Sequence, residues 1–308
     1  MNSNMQIFSR DQTVQALPYS KLVPAVAEAA RELSAGTIVA PERQVVTIDA
    51  ASVLLSMPAI GHDLSATKLI TVHGNNARHQ LPAIQGEVIV FETATGRRLA
   101  LLDGPTVTAR RTAAMTLLGI DTLACQKPAS VMIIGTGAQA AAHADALVEY
   151  FGVSRFWVAG FTHADAESFA LALVQRHGAL DVKTLAAESL KQEVPEIDVV
   201  VALTTSTTPV IPATIPPGTL AIGVGAFKPN MAEFPPELLH ARQIIVDDFD
   251  GAKHEAGDLI QANIDWAGVI QLGDLLSGKV PHPPSTPVFK TVGQAAWDLA
   301  AARVAISS

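Results

Sequence analysis

Three shortages limit what this chain can be: cysteine, charged residues and long apolar runs. Cys125 is the single cysteine among 308 residues, so no disulfide can form within the chain, which favours a reducing compartment. Its apolar neighbours predict an inert position in the core. No window approaches the roughly 18 consecutive apolar residues of a membrane span, and residues 1–12 lack the basic-then-apolar pattern of a signal peptide. The sequence therefore predicts a cytoplasmic protein with no membrane partner.

Positive charge is scarce as well. Lysine and arginine number 21 against 29 aspartates and glutamates, which gives a net charge of −8. Because nucleic-acid-binding proteins carry the opposite balance or a dense basic stripe, we expect no nucleic-acid partner. The 9 histidines show none of the spacings of a zinc motif, so we expect no metal. Hydrophobic residues reach 49% and charged residues only 16%, a composition that excludes a disordered chain and allows two domains.

The first third of the chain carries a helical pattern followed by alternating strands. Apolar residues recur at helical spacing through residues 21–33, and Gly36 follows as a stop. Between residues 45 and 102, short runs alternate between apolar and polar residues and are separated by turn residues, which predicts an antiparallel sheet. Residues 106–118 are predicted as a helix, with Thr106 or Thr108 as its N-cap.

After Pro128 the pattern changes to strands that alternate with helices. Strands are predicted at 130–134, 155–159, 198–203, 220–224 and 244–246, and helices at 139–150, 164–177 and 292–304. The strands are almost continuously apolar, as expected where helices cover both faces of a parallel sheet. This part of the chain therefore predicts a doubly wound α/β domain.

A glycine motif lies directly between the first of these strands and its helix. Gly135, Gly137 and Ala140 form a G-x-G-x-x-A sequence. In this motif the first glycine permits a tight turn, the second lets the backbone approach a pyrophosphate, and the small third residue allows the helix to pack closely on the strand. The helix N-terminus then faces the phosphates. The motif in this context predicts dinucleotide binding.

The end of the second strand bears on which dinucleotide is used. An NAD site usually has an acid there to bind the ribose 2′-hydroxyl, but residues 159–163 contain none and the first acid is Asp165. Without that carboxylate a 2′-phosphate is not repelled, and Thr162 or His163 can bond to it. We therefore expect NADPH as the cofactor, with NADH possible. The hydroxyl-rich run 204–208 follows a later strand and is expected to border the cofactor.

Several cationic side chains stand in otherwise apolar segments outside the nucleotide motif. Arg43, Lys68, Arg110 and Arg111 all precede it in the sequence. Arginine binds carboxylates through two parallel hydrogen bonds, so such a set suits a small substrate that carries a carboxylate.

Motifs along almost the whole chain resemble those of a known family. They lie at residues 57–58, 68–76, 82–86, 95–96, 108–114, 134–139, 288–293 and 296–300. In this order they are similar to the motifs of the ornithine cyclodeaminase/mu-crystallin family. The run Arg111, Thr112 and two alanines, followed by the glycine motif, is the most specific part of the resemblance.

The resemblance implies a fold and an assembly. The fold is α/β, with a Rossmann-type doubly wound parallel sheet inserted into an α+β substrate-binding and dimerisation domain. Residues 1–118 and 289–308 would form the substrate-binding domain, and residues 119–288 the dinucleotide-binding domain. The implied assembly is a homodimer.

The resemblance also implies roles for individual residues. Arg43 would bind the substrate carboxylate, Lys68 would lie at the reacting nitrogen, and Arg111 and Thr112 would bridge substrate and cofactor. The implied substrate-binding residues are Arg43, Met57, Lys68 and Arg111. The implied cofactor-binding residues are Arg111, Thr112, Gly135, Gly137, Ala138, Gln139, Thr162, His163, Thr204, Val224, Thr291 and Gly293.

Two departures from the cyclodeaminase pattern bear on the substrate. Leu55 and Phe227 stand where cyclodeaminases have a glutamate and a catalytic aspartate. Deamination of ornithine needs carboxylates to accept protons and hold ammonium groups, so two apolar replacements disfavour it. They fit reduction of a preformed cyclic ketimine carboxylate, Δ1-pyrroline-2-carboxylate or Δ1-piperideine-2-carboxylate, to L-proline or L-pipecolate. Lys68 is then the expected catalytic proton donor. Ornithine cyclodeaminase activity, alanine dehydrogenase activity and a non-enzymatic NADP-binding crystallin-like role remain alternatives.

Overall fold

The computed structural model describes residues 5–191 and 195–307 of the chain. The start of the segment analysed for a signal peptide, residues 1–4, lies outside the described residues. The chain divides into two compact units. The N-terminal unit comprises Met1–Ala114 with Gln294–Ser308, and the central unit comprises Met115–Gly293. The resemblance had suggested divisions after residues 118 and 288.

Strands and helices follow one another in this order: β1 (Gln6–Ile7), α1 (Arg10–Ala16), α2 (Tyr19–Ser34), β2 (Gln44–Asp49), β3 (Ser52–Ile60), β4 (Leu64–His73), β5 (Ile84–Glu92), β6 (Arg98–Asp103), α3 (Gly104–Leu123), β7 (Ser130–Ile134), α4 (Ala138–Phe151), β8 (Arg155–Gly160), α5 (His163–His177), β9 (Asp181–Ala186), β10 (Val199–Ala202), β11 (Leu220–Gly223), α6 (Pro236–Ala241), β12 (Ile244–Val246), α7 (Phe249–Glu255), α8 (Gly257–Gln261), β13 (Ile270–Gln271), α9 (Leu272–Leu276), β14 (Val288–Lys290) and α10 (Ala295–Ile306). Short 3-10 helices occupy Asn76–His79, Ala187–Lys191 and Trp266–Gly268.

The N-terminal unit is built on a six-stranded sheet. Its order is β1-β6-β5-β4-β3-β2, and every pairing is antiparallel except that of β1 with β6. Met57 in β3 lies opposite Lys68 in β4, and Lys68 lies opposite Val88 in β5. Because directly paired residues share a face of the sheet, these three side chains point the same way, and all three are buried. Helix α10 packs against β3, β4 and α2. The predicted antiparallel sheet is confirmed, whereas β1 and α1 were not predicted.

Helix α3 starts earlier than the sequence pattern indicated. The Asp103 carboxylate accepts a hydrogen bond from the Thr106 N–H at 2.9 Å, so this acid satisfies a free donor of the first turn. Thr108 donates its hydroxyl to the Gly104 carbonyl at 2.9 Å and therefore lies inside the helix. The expected cap at Thr106 or Thr108 was wrong, because the acid at the end of β6 already performs that function.

The central unit is built on an eight-stranded parallel sheet. Its order is β13-β12-β14-β11-β10-β7-β8-β9. The chain moves outward from β7 in one direction through β8 and β9, and in the other through β10 and β11. This reversal at β7 and β10 creates the crevice, beyond the carboxyl ends of the strands, where doubly wound folds bind ligands. The predicted doubly wound sheet is confirmed; β9, β13 and β14 were not predicted.

The structure bears on two of the scarce features of the sequence, long apolar runs and cysteine. Within the described residues, no helix combines the length and the apolarity needed to cross a bilayer. Cys125 is exposed, and its Sγ lies 3.1 Å from the Thr286 hydroxyl. The expected core position of this cysteine was wrong, because α3 ends at Leu123 and leaves the thiol in the surface segment that follows.

Candidate active site

The glycine motif forms the turn between β7 and α4. Gly135 adopts a φ of +114°, and a Cβ there would lie 2.6 Å from the Leu203 carbonyl oxygen, so only glycine fits. Gly137 is the N-cap of α4 and provides no side-chain cap. A Cβ built on Gly137 would meet nothing within 4 Å. Ala140 is fully buried against the strand. The turn therefore leaves open space in front of the first N–H groups of a 14-residue helix.

This turn fits the pyrophosphate of a dinucleotide. Uncapped N–H groups and the helix dipole favour an anion at this end of α4. Ala138 is the first helical residue and is exposed at the mouth of the turn. The Gln139 Oε1 is buried and has no hydrogen-bond partner among the described residues; as an acceptor it suits a ligand hydroxyl and not a phosphate oxygen.

A wide groove runs along the carboxyl edge of the same half of the sheet. Its volume is about 1200 Å³, and its lining includes Phe161 after β8, Glu188 after β9, and Ser206 and Thr208 after β10. The Phe161 side chain is 91% exposed. The groove has the size and position to receive the adenosine portion of a dinucleotide bound at the turn.

The segment after β8 is organised by a helix cap. Thr162 accepts a hydrogen bond from the Asp165 N–H at 3.2 Å and donates its own hydroxyl to Asp165 Oδ2 at 2.7 Å. The hydrogen bond from the Thr162 hydroxyl, the largest of its causes, lowers the pKa of the Asp165 carboxyl. His163 is exposed, with Nε2 3.1 Å from the Thr184 hydroxyl. Of the two residues expected to meet a 2′-phosphate, Thr162 is thus engaged in the cap of α5, and His163 presents an exposed ring.

Thr204, Val224, Thr291 and Gly293 all lie just beyond parallel strands. Val224 follows β11 and donates its N–H to the Ala202 carbonyl at 3.0 Å. Thr291 donates its hydroxyl to Asp247 Oδ2 at 2.6 Å, and the Gly293 N–H donates to the same oxygen at 3.1 Å. Asp247, a buried acid after β12, was not predicted from the sequence although it holds this segment in place.

In the N-terminal unit, two of the predicted cations meet at one buried carboxylate. The Lys68 Nζ lies 2.9 Å from Asp298 Oδ2, and the Arg111 Nε lies 3.2 Å from Asp298 Oδ1. All three side chains are almost completely buried. Two cations share one anion here, so the cluster carries a net positive charge and can attract the carboxylate of a small ligand.

Burial governs the protonation of Lys68. It lowers the pKa of Lys68 to about 8, with smaller downward contributions from Arg111 and Arg43, while Asp298 opposes the shift. The two neighbouring arginines therefore contribute to the lowered pKa, but burial is its leading cause. An ammonium group with a pKa near 8 is mostly protonated at neutral pH and transfers its proton readily.

The remaining predicted residues of this unit surround the cluster unequally. Arg43 precedes β2, is half-buried and acts on the Lys68 charge. Met57 is buried directly opposite Lys68. Thr112, also buried, donates its hydroxyl to the Thr108 carbonyl at 2.6 Å. Arg110 does not join them, because its Nε donates to the Leu17 carbonyl at 2.7 Å and its guanidinium lies 4.0 Å from the centre of the Tyr19 ring.

Two positions that distinguish this chain from cyclodeaminases are apolar, as the sequence indicates. Leu55 lies in β3 two residues before Met57, on the same face of the sheet, and is half-buried. Phe227, in the central unit after β11, is 38% exposed. Sequence reasoning missed Asp298 as a site residue, although an acid within the apolar run of α10 was a usable signal, because such a group is buried only when it is paired.

A model of a known family matches almost the entire chain. The model described as the ornithine cyclodeaminase/mu-crystallin family matches residues 4–307. Among curated proteins, the chain is 44% identical over 303 residues to Delta(1)-pyrroline-2-carboxylate reductase 1 of Burkholderia multivorans, covering 98% of this chain and 96% of the relative. It is 43% identical over 304 residues to Delta(1)-pyrroline-2-carboxylate/Delta(1)-piperideine-2-carboxylate reductase of Azospirillum brasilense, with the same coverage.

Solved structures share the fold. An archaeal alanine dehydrogenase dimer with bound NAD aligns with a TM-score of 0.87 and 26% sequence identity. The alignment covers 98% of this chain and 95% of that one. The doubly wound sheet, the glycine turn and the basic cluster thus occur together in a chain with full-length relatives of known chemistry.

Proposed function

Because the chain belongs to the ornithine cyclodeaminase/mu-crystallin family, we propose that it is an NAD(P)H-dependent reductase of cyclic ketimine carboxylates. Its substrates are Δ1-pyrroline-2-carboxylate and Δ1-piperideine-2-carboxylate, and its products are L-proline and L-pipecolate. The observation that carries this proposal is the buried cluster of Lys68, Arg111 and Asp298. Relatives at 43% and 44% identity that are named for this reaction support it.

The basic cluster provides the means to bind the substrate. The carboxylate attached to the imine carbon pairs with the guanidinium groups of Arg43 and Arg111. Arg111 is fixed by Asp298, so its orientation is set before the substrate arrives. Leu55 and Met57, on the face of the sheet that carries Lys68, offer apolar contacts to the ring carbons.

Lys68 supplies the proton that the reaction consumes. A cyclic imine accepts hydride at carbon much more readily when its nitrogen is protonated, because the iminium ion is the stronger electrophile. The Lys68 ammonium donates a proton to the nitrogen, the C=N bond becomes CH–NH, and solvent restores the proton to the lysine. The Asp298 carboxylate stays beside Nζ throughout and limits the fall of the Lys68 pKa. When bound, the reduced nicotinamide supplies the hydride.

The residues that would hold the cofactor belong to the central unit. Gly135, Gly137, Ala138 and Gln139 form the turn for the pyrophosphate, and Thr204, Val224, Thr291 and Gly293 border the carboxyl edge of the sheet. We assign Thr112, which follows Arg111 in α3, a supporting role in cofactor binding.

NADPH is the expected reductant, with NADH also accepted. Strand β8 ends at Gly160 and carries no acid at its tip, so a 2′-phosphate meets no carboxylate on the strand itself. The exposed ring of His163 can bond to that phosphate if it exchanges its contacts with the Thr184 hydroxyl, 3.1 Å from Nε2, and the Glu167 carboxylate, 3.6 Å from Nδ1. Thr162 keeps its hydroxyl in the cap. The reaction uses a reduced cofactor, and a single cysteine is typical of a protein from a reducing compartment. The proposed location is therefore the cytoplasm.

A homodimer is the proposed assembly. The face of the N-terminal sheet opposite Lys68 exposes apolar side chains, with Val46 at 47% and Leu69 at 41% exposure. The similar archaeal alanine dehydrogenase is described as a dimer.

Light scattering after gel filtration tests the proposed homodimer. The double variant Val46→Glu/Leu69→Glu is expected to dissociate into monomers. The control Leu171→Glu, at an exposed position in α5, is expected to stay dimeric. A monomeric wild type contradicts the proposed homodimer.

One assay tests the proposed reaction. NADPH and NADH oxidation is measured with Δ1-pyrroline-2-carboxylate and with Δ1-piperideine-2-carboxylate. Parallel reactions contain pyruvate plus ammonia, and ornithine with the oxidised cofactor. The proposal requires rapid oxidation with a cyclic imine. Reaction only with pyruvate and ammonia would assign an alanine dehydrogenase, release of ammonia from ornithine would assign a cyclodeaminase, and cofactor binding without any turnover would assign a binding protein.

A further inference from the structure

A buried carboxylate in the central unit joins the two segments that follow β10 and β11. Glu233 is 0% exposed. Its Oε1 accepts hydrogen bonds from the Thr204 N–H at 2.7 Å and the Thr204 hydroxyl at 3.1 Å. Its Oε2 accepts from the N–H groups of Gly225 at 2.7 Å and Ala226 at 3.1 Å. One side chain therefore satisfies four donors from two segments far from each other in sequence.

These segments lie at the edge of the sheet that faces the dinucleotide in a doubly wound fold. Strands β10 and β11 pair in parallel, with Ala202 opposite Gly223, so both segments emerge from the same edge. A Cβ on Gly225 would overlap the backbone of Thr204. The two backbones are thus in close contact, and a change in one displaces the other.

A buried lysine balances the charge of Glu233. Lys290 in β14 is 0% exposed, and its Nζ lies 4.0 Å from Glu233 Oε2 and 3.5 Å from Asp258 Oδ2. Among the described residues this Nζ has no hydrogen-bond partner. Burial raises the pKa of Glu233, Asp258 adds to the rise, and Lys290 and the Thr204 N–H offset only part of it. Backbone N–H donors at both oxygens match the ionised carboxylate, which alone accepts hydrogen bonds at both oxygens without donating one.

We propose that Glu233, ionised beside Lys290, is a positioning residue for the bound dinucleotide. It acts through the backbones of Thr204, Gly225 and Ala226, which it holds at the carboxyl edge of β10 and β11. The identity of the dinucleotide rests on the proposed function, but the positioning role does not require turnover of an imine.

Replacement of Glu233 by glutamine isolates the role of the carboxylate. The amide keeps the size of the side chain but has one acceptor oxygen and an NH2 group that only donates. At least one of the two segments then loses its acceptor and faces a donor. The change leaves Lys290 paired with Asp258 alone, so it removes a buried charge without leaving the lysine as an isolated cation.

A carboxylate at the other end of the same strands serves as a matched control. Asp198 precedes β10 and accepts hydrogen bonds from the N–H groups of Ala129 and Ser130, both at 2.8 Å, and from the Ser130 hydroxyl at 3.0 Å. It joins the amino ends of β7 and β10, away from the edge that binds dinucleotides. Asp198→Asn therefore removes a similar set of hydrogen bonds without touching the segments after β10 and β11.

The experiment compares the two variants by thermal unfolding and by titration of NADH and NADPH, followed through nicotinamide fluorescence. Both variants are expected to unfold at lower temperature than the wild type. Glu233→Gln is expected to weaken binding of the preferred dinucleotide by about tenfold or more, whereas Asp198→Asn is expected to change it by less than about twofold. Equal weakening in both, or unchanged binding in folded Glu233→Gln, overturns the proposal.

A second variant covers the case in which Glu233→Gln does not fold. Glu233→Asp keeps the charge beside Lys290, so the variant is expected to fold. Its side chain is one methylene too short to reach both segments, so dinucleotide binding is expected to weaken. Unchanged binding again overturns the proposal. A wild type that binds neither dinucleotide removes both this inference and the proposed function. Weakened binding in the variants of a protein that reduces no imine sustains this inference and removes only the proposed reaction.

Discussion

Lys68 and Asp298 form a buried ion pair across 230 residues of sequence, with 2.9 Å between Nζ and Oδ2 and only about 1% of either side chain exposed. Burial favours the neutral lysine, whereas the carboxylate favours the ammonium ion. The balance of these two effects therefore sets the pKa of Lys68, and with it the pH range in which the lysine can donate the proton that the proposed reaction needs.

Asp298→Asn is expected to move the pH profile of imine reduction towards lower pH. Lys68 donates its proton, so kcat falls as pH rises through its pKa of about 8. Loss of the carboxylate removes the influence that raises this pKa, so the decline begins at lower pH. Loss of one partner of a buried pair also lowers the free energy of unfolding, by about 3–5 kcal/mol. The measurements are kcat against pH and chemical denaturation.

Asp63→Asn is the control for that shift. Asp63 pairs with Arg303, also in α10, at 2.8 Å, so its loss weakens attachment of the same helix without altering the charge at Lys68. The control is expected to be less stable and to keep the wild-type pH profile. A profile that moves equally in both variants, or in neither, would remove Asp298 from control of the proton.

Lys68→Met is expected to lower kcat by about 100-fold or more, because the proton donor is lost while the volume of the side chain is largely kept. NADPH binding, measured by fluorescence, is expected to stay unchanged. Lys279→Met, at an exposed lysine 3.0 Å from Asp274, controls for loss of positive charge and should keep wild-type kcat. A folded Lys68→Met with normal turnover would eliminate the lysine as proton donor.

Arg43→Ala is expected mainly to raise KM for the imino acid. The substrate carboxylate is bound alike in the ground and transition states, so its loss affects binding more than turnover. A lost charge-assisted contact costs roughly 2–4 kcal/mol. Steady-state kinetics at saturating NADPH measures the effect, and unchanged kinetics in a folded variant would show that Arg43 lies outside the site.

NADPH is expected to give a kcat/KM at least equal to that of NADH, because β8 ends without an acid. His163→Ala should lower kcat/KM for NADPH more than for NADH, since only NADPH carries the phosphate. An advantage of NADH above about tenfold, equivalent to ~1.4 kcal/mol, would contradict the expected preference.

The fold class could be predicted because its signals are local. Alternation within β3, β4 and β5, and continuous apolar runs in β7 and β10, depend on residues next to one another in the chain. Strand β14 escaped this reasoning because Lys290 ends its apolar run after two residues, whereas the equally short β12 is apolar throughout. Its central position between β11 and β12 follows only from the complete sheet.

The candidate site could be predicted only in part. The glycine turn is a local motif, and the cations stand out as charges in apolar segments, but the anions that organise both units depend on distant partners. Asp298 meets Lys68 from a helix at the opposite end of the sequence. Glu233 binds backbone donors of loops 8 and 29 residues away, and backbone donors leave no trace in the residue types of a sequence.

The division of the N-terminal unit has a consequence for the order of events during synthesis. A ribosome that has made residues up to Ala114 has produced the whole six-stranded sheet with Lys68 in it, but Asp298 and the rest of α10 come only after Met115–Gly293. At about 5–20 residues per second, this interval lasts roughly ten to forty seconds. During it the buried face of the sheet has neither its covering helix nor the counter-ion of Lys68. The central unit is therefore synthesised before the N-terminal unit is complete. A chain whose synthesis stops before residue 298 contains the proposed proton donor, Lys68, without its partner Asp298.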